Sequence, residues 1–167
     1  MSRQKPKIFK ASDGYQSADL VHFARDHLFA AKALFELDVR TLDSAGYLSQ
    51  LGIELLFKAL LLHLSGQFPG EHSLQNLYGK VQQVRPSFKI PNPYSDVLPL
   101  LDRYYELRYP TPSNLPGVAK GDWPVIAEVV KLIDEQLPTE LCEVVGSSSA
   151  KRKTGRKIIR RREDIWK

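Results

Sequence analysis

A run of about twenty residues, 45–64, is apolar around most of a helical circumference, and this constrains the fold more than any other feature. Within 48–64, eleven of the seventeen positions are apolar, and they are not confined to one face. A helix of this kind has to be enclosed by other elements, so we predict that it is the central helix of its domain. The run contains Glu54, Lys58 and His63 and is shorter than about 18 continuous apolar residues, so we do not expect a membrane span.

A polar strip follows one side of this apolar helix. Tyr47, Gln50, Glu54 and Lys58 are spaced three or four residues apart, which places them on the same side. Glu54 precedes Lys58 by four residues, the order that favours an ion pair within a helix. Two interpretations remain open: the strip is the solvated edge of a buried helix, or it faces a groove or a second subunit.

Hydrophobic periodicity predicts four further helices. They are expected near residues 17–37, 73–84, 96–107 and 122–137, with Ser17, Ser95 and Asp122 as N-caps and Gly66 ending the central helix. A link of about four residues between the first two helices implies that they are antiparallel. No segment has a convincing strand pattern, so the expected fold class is all-α.

The net charge of +5 is concentrated at the C-terminal end of the chain. Residues 146–167 carry a charge of +7, and the remainder carries −2. The sequence therefore divides into a basic N-terminal arm at 1–14, a helical body at 15–145 and a flexible basic tail at 146–167. Eight of the nine Lys and Arg residues of the tail are candidates for weak, salt-dependent contacts with polyanions. They are Lys151, Arg152, Lys153, Arg156, Lys157, Arg160, Arg161 and Arg162.

The cysteine and histidine content argues against several kinds of site. Cys142 is the single cysteine, which excludes an intrachain disulfide and a multi-cysteine metal site. His22 and His27 lie on the predicted first helix, where a histidine is expected to be a packed core residue rather than a metal ligand. No cluster of His, Asp or Glu has the spacing of metal ligands. We therefore expect neither a metal nor a cofactor. No secretory signal pattern follows the first basic residues, so a cytoplasmic location is expected.

Several short motifs occur in a particular order along the chain. ALFE at 33–36 ends the first helix, ELLFKA at 54–59 lies in the second, and HSL at 72–74 opens the third. Residues 101–105 of the predicted fourth helix then lead into RYP at 108–110, before a closing helix. In this order the motifs resemble those of the HEPN domain family (higher eukaryotes and prokaryotes nucleotide-binding), over about residues 17–137.

The resemblance implies an all-α, up-and-down bundle of four to five helices, usually present as a homodimer. Family members are known as RNases, as toxins paired with a small nucleotidyltransferase, and as non-catalytic modules that bind nucleotides or RNA. The catalytic members resemble one another in an Arg-x(4–6)-His motif at a helix end. Neither Arg103 nor Arg108 is followed by a histidine at that spacing, so we do not expect the usual family RNase activity.

The resemblance and the residue types together give a candidate ligand or RNA site, formed by Glu54, Lys58, His72, Arg108 and Tyr109. An arginine at a helix end can bind a phosphate through two hydrogen bonds, and a neighbouring tyrosine can stack on a base. A structural alternative stays open for three of them. In that alternative Arg108 pairs with Glu54 or with helix carbonyls, Tyr109 belongs to the core, and the His72 ring bonds backbone.

Three hypotheses for function follow. The leading one is a non-catalytic HEPN-like bundle that binds a nucleotide, RNA or a partner protein, in a defence or toxin–antitoxin setting with a nucleotidyltransferase. The second is a divergent, metal-independent RNase in which His72 or Tyr109 replaces the motif histidine. The third is a dimeric adaptor whose basic tail binds an acidic partner.

Overall fold

The computed structural model describes residues 7–109, 111 and 116–142, and within them it contains six α-helices and two short strands. The elements in chain order are β1 (Ile8–Lys10), α1 (Ser17–Leu37), α2 (Leu42–Ser65), β2 (Gln67–Pro69), α3 (Leu74–Val84), α4 (Leu98–Arg103), α5 (Asp122–Asp134) and α6 (Thr139–Cys142). The predicted all-α helical bundle is confirmed, whereas the expectation that no strand is present is wrong. The tail at 146–167, with all eight of its candidate cations, lies outside the described residues.

The apolar helix α2 is the centre of the bundle, as its composition predicts. It contacts α1, α3, α4, α5 and β2, and its apolar side chains from Ile53 to Leu62 are mostly buried. The segment Val39–Ser65 has the length and mean hydropathy (1.3) of a membrane span, but 78% of its most apolar window is buried inside the protein. That degree of burial is typical of the core helix of a soluble domain.

The predicted end of α2 is confirmed, whereas the predicted N-cap of α1 is wrong. Gly66 ends α2 in the left-handed conformation, with a φ of 72°, and its N–H donates to the Leu62 carbonyl, as predicted. The N-cap of α1 is Gln16 rather than Ser17, and its side chain makes no capping bond. Gly52 permits the close approach of the two helices, because a Cβ there would lie 2.6 Å from Leu28 Cγ.

Residues of the predicted N-terminal arm form part of the fold. β1 pairs with β2 in an antiparallel ladder, with Phe9 opposite Phe68. The rings of Phe9 and Phe68 stack with centroids 5.2 Å apart, and Tyr15 meets both edge-on. This aromatic cluster attaches the described part of the arm, residues 7–14, to the end of α2.

The predicted fourth helix, 96–107, is divided into three segments. A 3-10 helix (Tyr94–Val97) leads into α4, which continues as a second 3-10 helix (Tyr104–Arg108). A 3-10 helix has three residues per turn, so residues three apart lie on the same side. Tyr104, three residues after the buried Leu101, is therefore fully buried, while Tyr105 is half-buried and Arg108, three residues after it, is exposed.

The closing helices are held by contacts that the sequence did not indicate. A buried ion pair, Arg25 Nη2 to Asp134 Oδ1 at 3.5 Å, joins α1 to α5, and Arg25 Nη1 donates to the Cys142 carbonyl of α6. Asp122 is the first residue of α5 rather than its cap, and its carboxylate accepts from the Tyr104 hydroxyl at 2.8 Å. Burial, together with this carboxylate, raises the pKa of Tyr104 well above its usual value.

Candidate functional site

The polar strip of α2 is buried, which excludes its interpretation as a solvated edge. Relative exposures are 0% for Gln50, 2% for Glu54 and 6% for Lys58, while Tyr47 is half-buried. Buried charges are costly unless they are paired and hydrogen-bonded, so the partners of these side chains determine what the strip can do.

Glu54 is the centre of a compact hydrogen-bonded cluster. Its Oε1 lies 2.6 Å from Lys58 Nζ and 3.0 Å from His72 Nδ1, and its Oε2 lies 3.2 Å from both His72 Nδ1 and Gln50 Nε2. The Lys58 ammonium also lies 5.9 Å from the centroid of the Phe68 ring, at a cation–π distance. The predicted ion pair between Glu54 and Lys58 is therefore present, and it is enclosed.

His72 reaches this cluster from the turn that precedes α3. The Gln50 amide donates to the His72 backbone carbonyl at 3.0 Å, so α2 holds both the ring and the main chain of this residue. The ring bonds a carboxylate and not the backbone, so the structural alternative for His72 is wrong. A carboxylate only accepts hydrogen bonds; Nδ1 therefore carries the proton, and in a neutral ring the lone pair is on Nε2.

One face of the His72 ring packs against the 3-10 helix that follows α4. The His72 and Tyr105 rings stack with centroids 4.6 Å apart and an angle of 16° between their planes. A side-chain hydrogen bond with Tyr105 raises the pKa of Arg108, with smaller effects of Tyr109 and Tyr47. Arg108 is a permanent cation, as arginines in proteins are. Its guanidinium lies 5.2 Å from the centroid of the Tyr109 ring.

The five predicted site residues therefore lie at two levels. Glu54 and Lys58 are buried, while the His72 side chain is 44% exposed, Arg108 is exposed, and Tyr109 is 73% exposed. The exposure of Tyr109 shows that it is not a core residue. The described contacts of Arg108 are with tyrosines rather than with Glu54. We call His72, Tyr105, Arg108 and Tyr109 the His72–Arg108 surface.

Two residues that sequence reasoning missed contribute to this arrangement. Tyr105 joins His72 to Arg108, because its ring stacks on His72 and its side chain hydrogen-bonds Arg108. Asp102 accepts hydrogen bonds from Ser73 Oγ at 3.0 Å and from the backbone N–H of Leu74, next to His72. Ser73 is followed by a helix, and a helix start attracts a carboxylate, but nothing local in the sequence identifies which carboxylate.

The other titratable groups do not extend the site. His22 pairs with Asp26 one turn further along α1, at 3.6 Å, and burial lowers the pKa of the half-buried His27. Residues 7–109, 111 and 116–142 contain no cluster of three potential metal ligands. A cleft of about 240 Å³ with both polar and apolar lining lies elsewhere, between the two strands, the end of α2 and α3.

Comparison with known proteins gives one match. A family model described as HEPN domain matches residues 17–135, more than two thirds of the chain, and its limits agree within two residues with those expected from the motifs. Neither a curated protein sequence nor a solved structure matches the chain.

Proposed function

Because the chain belongs to the HEPN domain family, we propose that its bundle binds single-stranded RNA through the His72–Arg108 surface. The observation that carries the proposal is an exposed cation, Arg108, placed 5.2 Å from the centroid of an exposed aromatic ring, Tyr109. A cation contacts phosphate and a ring stacks on a base, so this pair fits one nucleotide unit. We also propose a cytoplasmic homodimer that acts with a nucleotidyltransferase, since these are expected of the family.

Each group of the surface has a distinct role in this proposal. Arg108 donates to a phosphate oxygen pair, which its planar guanidinium suits better than a lysine ammonium would. Tyr109 stacks on the adjoining base. His72 is oriented by Glu54 on one side and by the Tyr105 ring on the other, so Nε2 can accept a hydrogen bond from a ribose hydroxyl without first losing side-chain freedom.

The test measures binding of a short single-stranded RNA to the full-length chain by fluorescence anisotropy. The eight tail cations are first replaced by glutamine, because a basic tail binds any polyanion and would mask a weaker specific site. Arg108→Ala is compared with Arg40→Ala in this background. Arg40 is also an exposed arginine, 87% exposed and paired with Asp38, so both variants remove the same charge.

We expect Arg108→Ala to weaken RNA binding by about tenfold or more, the effect of losing one charge-assisted contact. Arg40→Ala should leave the affinity nearly unchanged. Equal losses in the two variants would mean that net charge alone determines binding. Binding that disappears when the tail cations are replaced would assign the nucleic-acid contact to the tail and refute the proposal for the bundle.

RNA cleavage is the second candidate function, and one observation favours it. The buried Glu54 carboxylate accepts from His72 Nδ1, the arrangement in which a carboxylate orients a histidine that acts as a general base. In this candidate His72 Nε2 removes the proton of the ribose 2′-hydroxyl, the 2′-oxygen forms a bond to the adjacent phosphorus, and the bond from phosphorus to the 5′-oxygen breaks. The leaving 5′-oxygen takes a proton from water, and the products are a 2′,3′-cyclic phosphate and a 5′-hydroxyl. His72→Gln should abolish cleavage of a single-stranded RNA, while His63→Gln, at an exposed position on α2, should not. An uncleaved substrate with the unaltered chain would eliminate this candidate.

A further inference from the structure

We infer that Asp102 is a positioning residue for RNA binding, an inference that rests on the proposed function. Its carboxylate joins the start of α3, which follows His72, to α4, which leads into the segment with Tyr105 and Arg108. Neither the sequence motifs nor the family match indicates Asp102. Its effect on binding would be indirect, through the geometry of the His72–Arg108 surface.

The first observation is the set of hydrogen bonds that Asp102 accepts. Oδ2 accepts from Ser73 Oγ at 3.0 Å and from the Gln75 N–H at 3.4 Å, and Oδ1 accepts from the Leu74 N–H. Ser73 Oγ in turn accepts from the Asn76 N–H at 3.3 Å. The first backbone N–H groups of a helix have no partner within the helix, so a single carboxylate satisfies the start of α3 directly after His72.

The second observation is the short connection between Asp102 and the exposed cation. Tyr105 lies three residues after Asp102, and Arg108 lies three residues after Tyr105, in a continuous helical segment. The backbone at the junction, Tyr104, keeps helical angles, with φ of −66° and ψ of −17°. The helical segment does not change direction between Asp102 and Tyr105, so a displacement of Asp102 would also displace the ring that stacks on His72.

The third observation is that the other polar contacts of His72 do not join it to the segment that contains Tyr105 and Arg108. Glu54 and Gln50 attach His72 to α2, and among the described residues no hydrogen bond joins either of them to the segment with Arg108. In the described part of the chain, the hydrogen bonds between the start of α3 and α4 all end on Asp102. The His72 ring itself meets this segment through its stacking on Tyr105, and a ring contact alone allows sliding.

Two measurements on the full-length chain test the inference. The first is the NMR chemical shift of the His72 ring protons without RNA, which the stacked Tyr105 ring moves upfield. The second is the affinity for single-stranded RNA, measured with the tail cations replaced. Asp102→Ala removes all three bonds, and Asp102→Asn, which keeps one carbonyl oxygen, serves if the alanine variant does not fold. Ile133→Val, a core change at the far end of α5 from Tyr104, controls for lower stability.

We expect Asp102→Ala to move the His72 ring protons toward their unstacked shifts and to weaken RNA binding by about tenfold. In an Arg108→Ala background, Asp102→Ala should cause little further loss, because the group that it positions is already absent. Ile133→Val should change neither measurement.

Unchanged His72 shifts in both Asp102 variants would overturn the inference, as would losses from Asp102→Ala and Arg108→Ala that simply multiply. If the unaltered chain binds no RNA, the proposed function fails, and the His72 shifts still determine whether Asp102 positions the surface.

Discussion

Replacement of Glu54 by glutamine should destabilise the fold more than any change at the exposed part of the site. The glutamine would keep the shape and one acceptor oxygen, but the Lys58 ammonium, 6% exposed and 2.6 Å from Glu54 Oε1, would lose its counter-charge. Removing one partner of a buried ion pair costs about 3–5 kcal/mol. The retained acceptor places Glu54→Gln at the lower end, about 3 kcal/mol, or roughly 6–12 °C in melting temperature for a chain of this length.

The assay is urea unfolding followed by circular dichroism, with a surface pair as the matched control. Glu128 and Lys131 also form a helical Glu–Lys pair, at 3.4 Å, but their side chains are 34% and 48% exposed. Glu128→Gln should therefore cost no more than about 0.5 kcal/mol.

A third variant separates charge burial from loss of a contact. In Glu54→Gln/Lys58→Met the buried cation is removed together with its partner, so the double variant should be more stable than Glu54→Gln by about 2 kcal/mol. Equal costs for Glu54→Gln and Glu128→Gln would refute the reasoning. A double variant less stable than Glu54→Gln would show that Lys58 contributes through its packing and not through its charge.

Two further changes test the packing and the pH dependence of the fold. Gly52→Ala should cost about 1–3 kcal/mol in urea unfolding, because the new Cβ would overlap Leu28, whereas Gly79→Ala, with open space around it in α3, should stabilise the helix by up to about 1 kcal/mol. Burial lowers the pKa of His27 in the folded state, so the unfolded chain binds the proton more readily; stability should be complete above about pH 6.5 and decline below it until the folded-state pKa is passed. His27→Gln should reduce this decline and the exposed His63→Gln should not, as measured by melting temperature from pH 5 to pH 8.

The sequence predicts the elements whose causes are local. The central helix follows from apolar residues on nearly every side, and its end follows from Gly66, because glycine adopts a left-handed conformation without strain. The start of α3 follows from the HSL motif, in which Ser73 caps the helix through a bond to an N–H three residues away. The predicted N-caps Ser17, Ser95 and Asp122 are wrong, because the caps at those helix starts are Gln16, Pro93 and Gly121.

The burial of the polar strip could not be predicted in the same way. Gln50, Glu54 and Lys58 have the pattern of a solvated edge, and they are buried because His72 and Phe68 come from other elements to cover them. The ion pair between Glu54 and Lys58 was therefore predicted correctly, while the burial of these two residues was not predicted.

The missed features depend on contacts between distant residues. Asp102 bonds groups 27 to 29 residues earlier in the chain, and β1 is a three-residue strand whose partner lies beyond two long helices. The switch to a 3-10 helix at Tyr104 moved one tyrosine into the core and the next to the surface. The sequence therefore identifies candidate residues by their type, whereas the residues that they contact can be identified only from the fold.

The pairing of β1 with β2 has a consequence for the order in which the chain folds. The two strands enclose α1 and α2 in one loop, so their register is favourable only after these helices have met. The ladder should therefore form late and open first, as a separate unit with a lower free energy of opening than α2. Hydrogen exchange at the Ala11 and Gly70 amides, which bond across this junction, would report the opening of that unit before global unfolding.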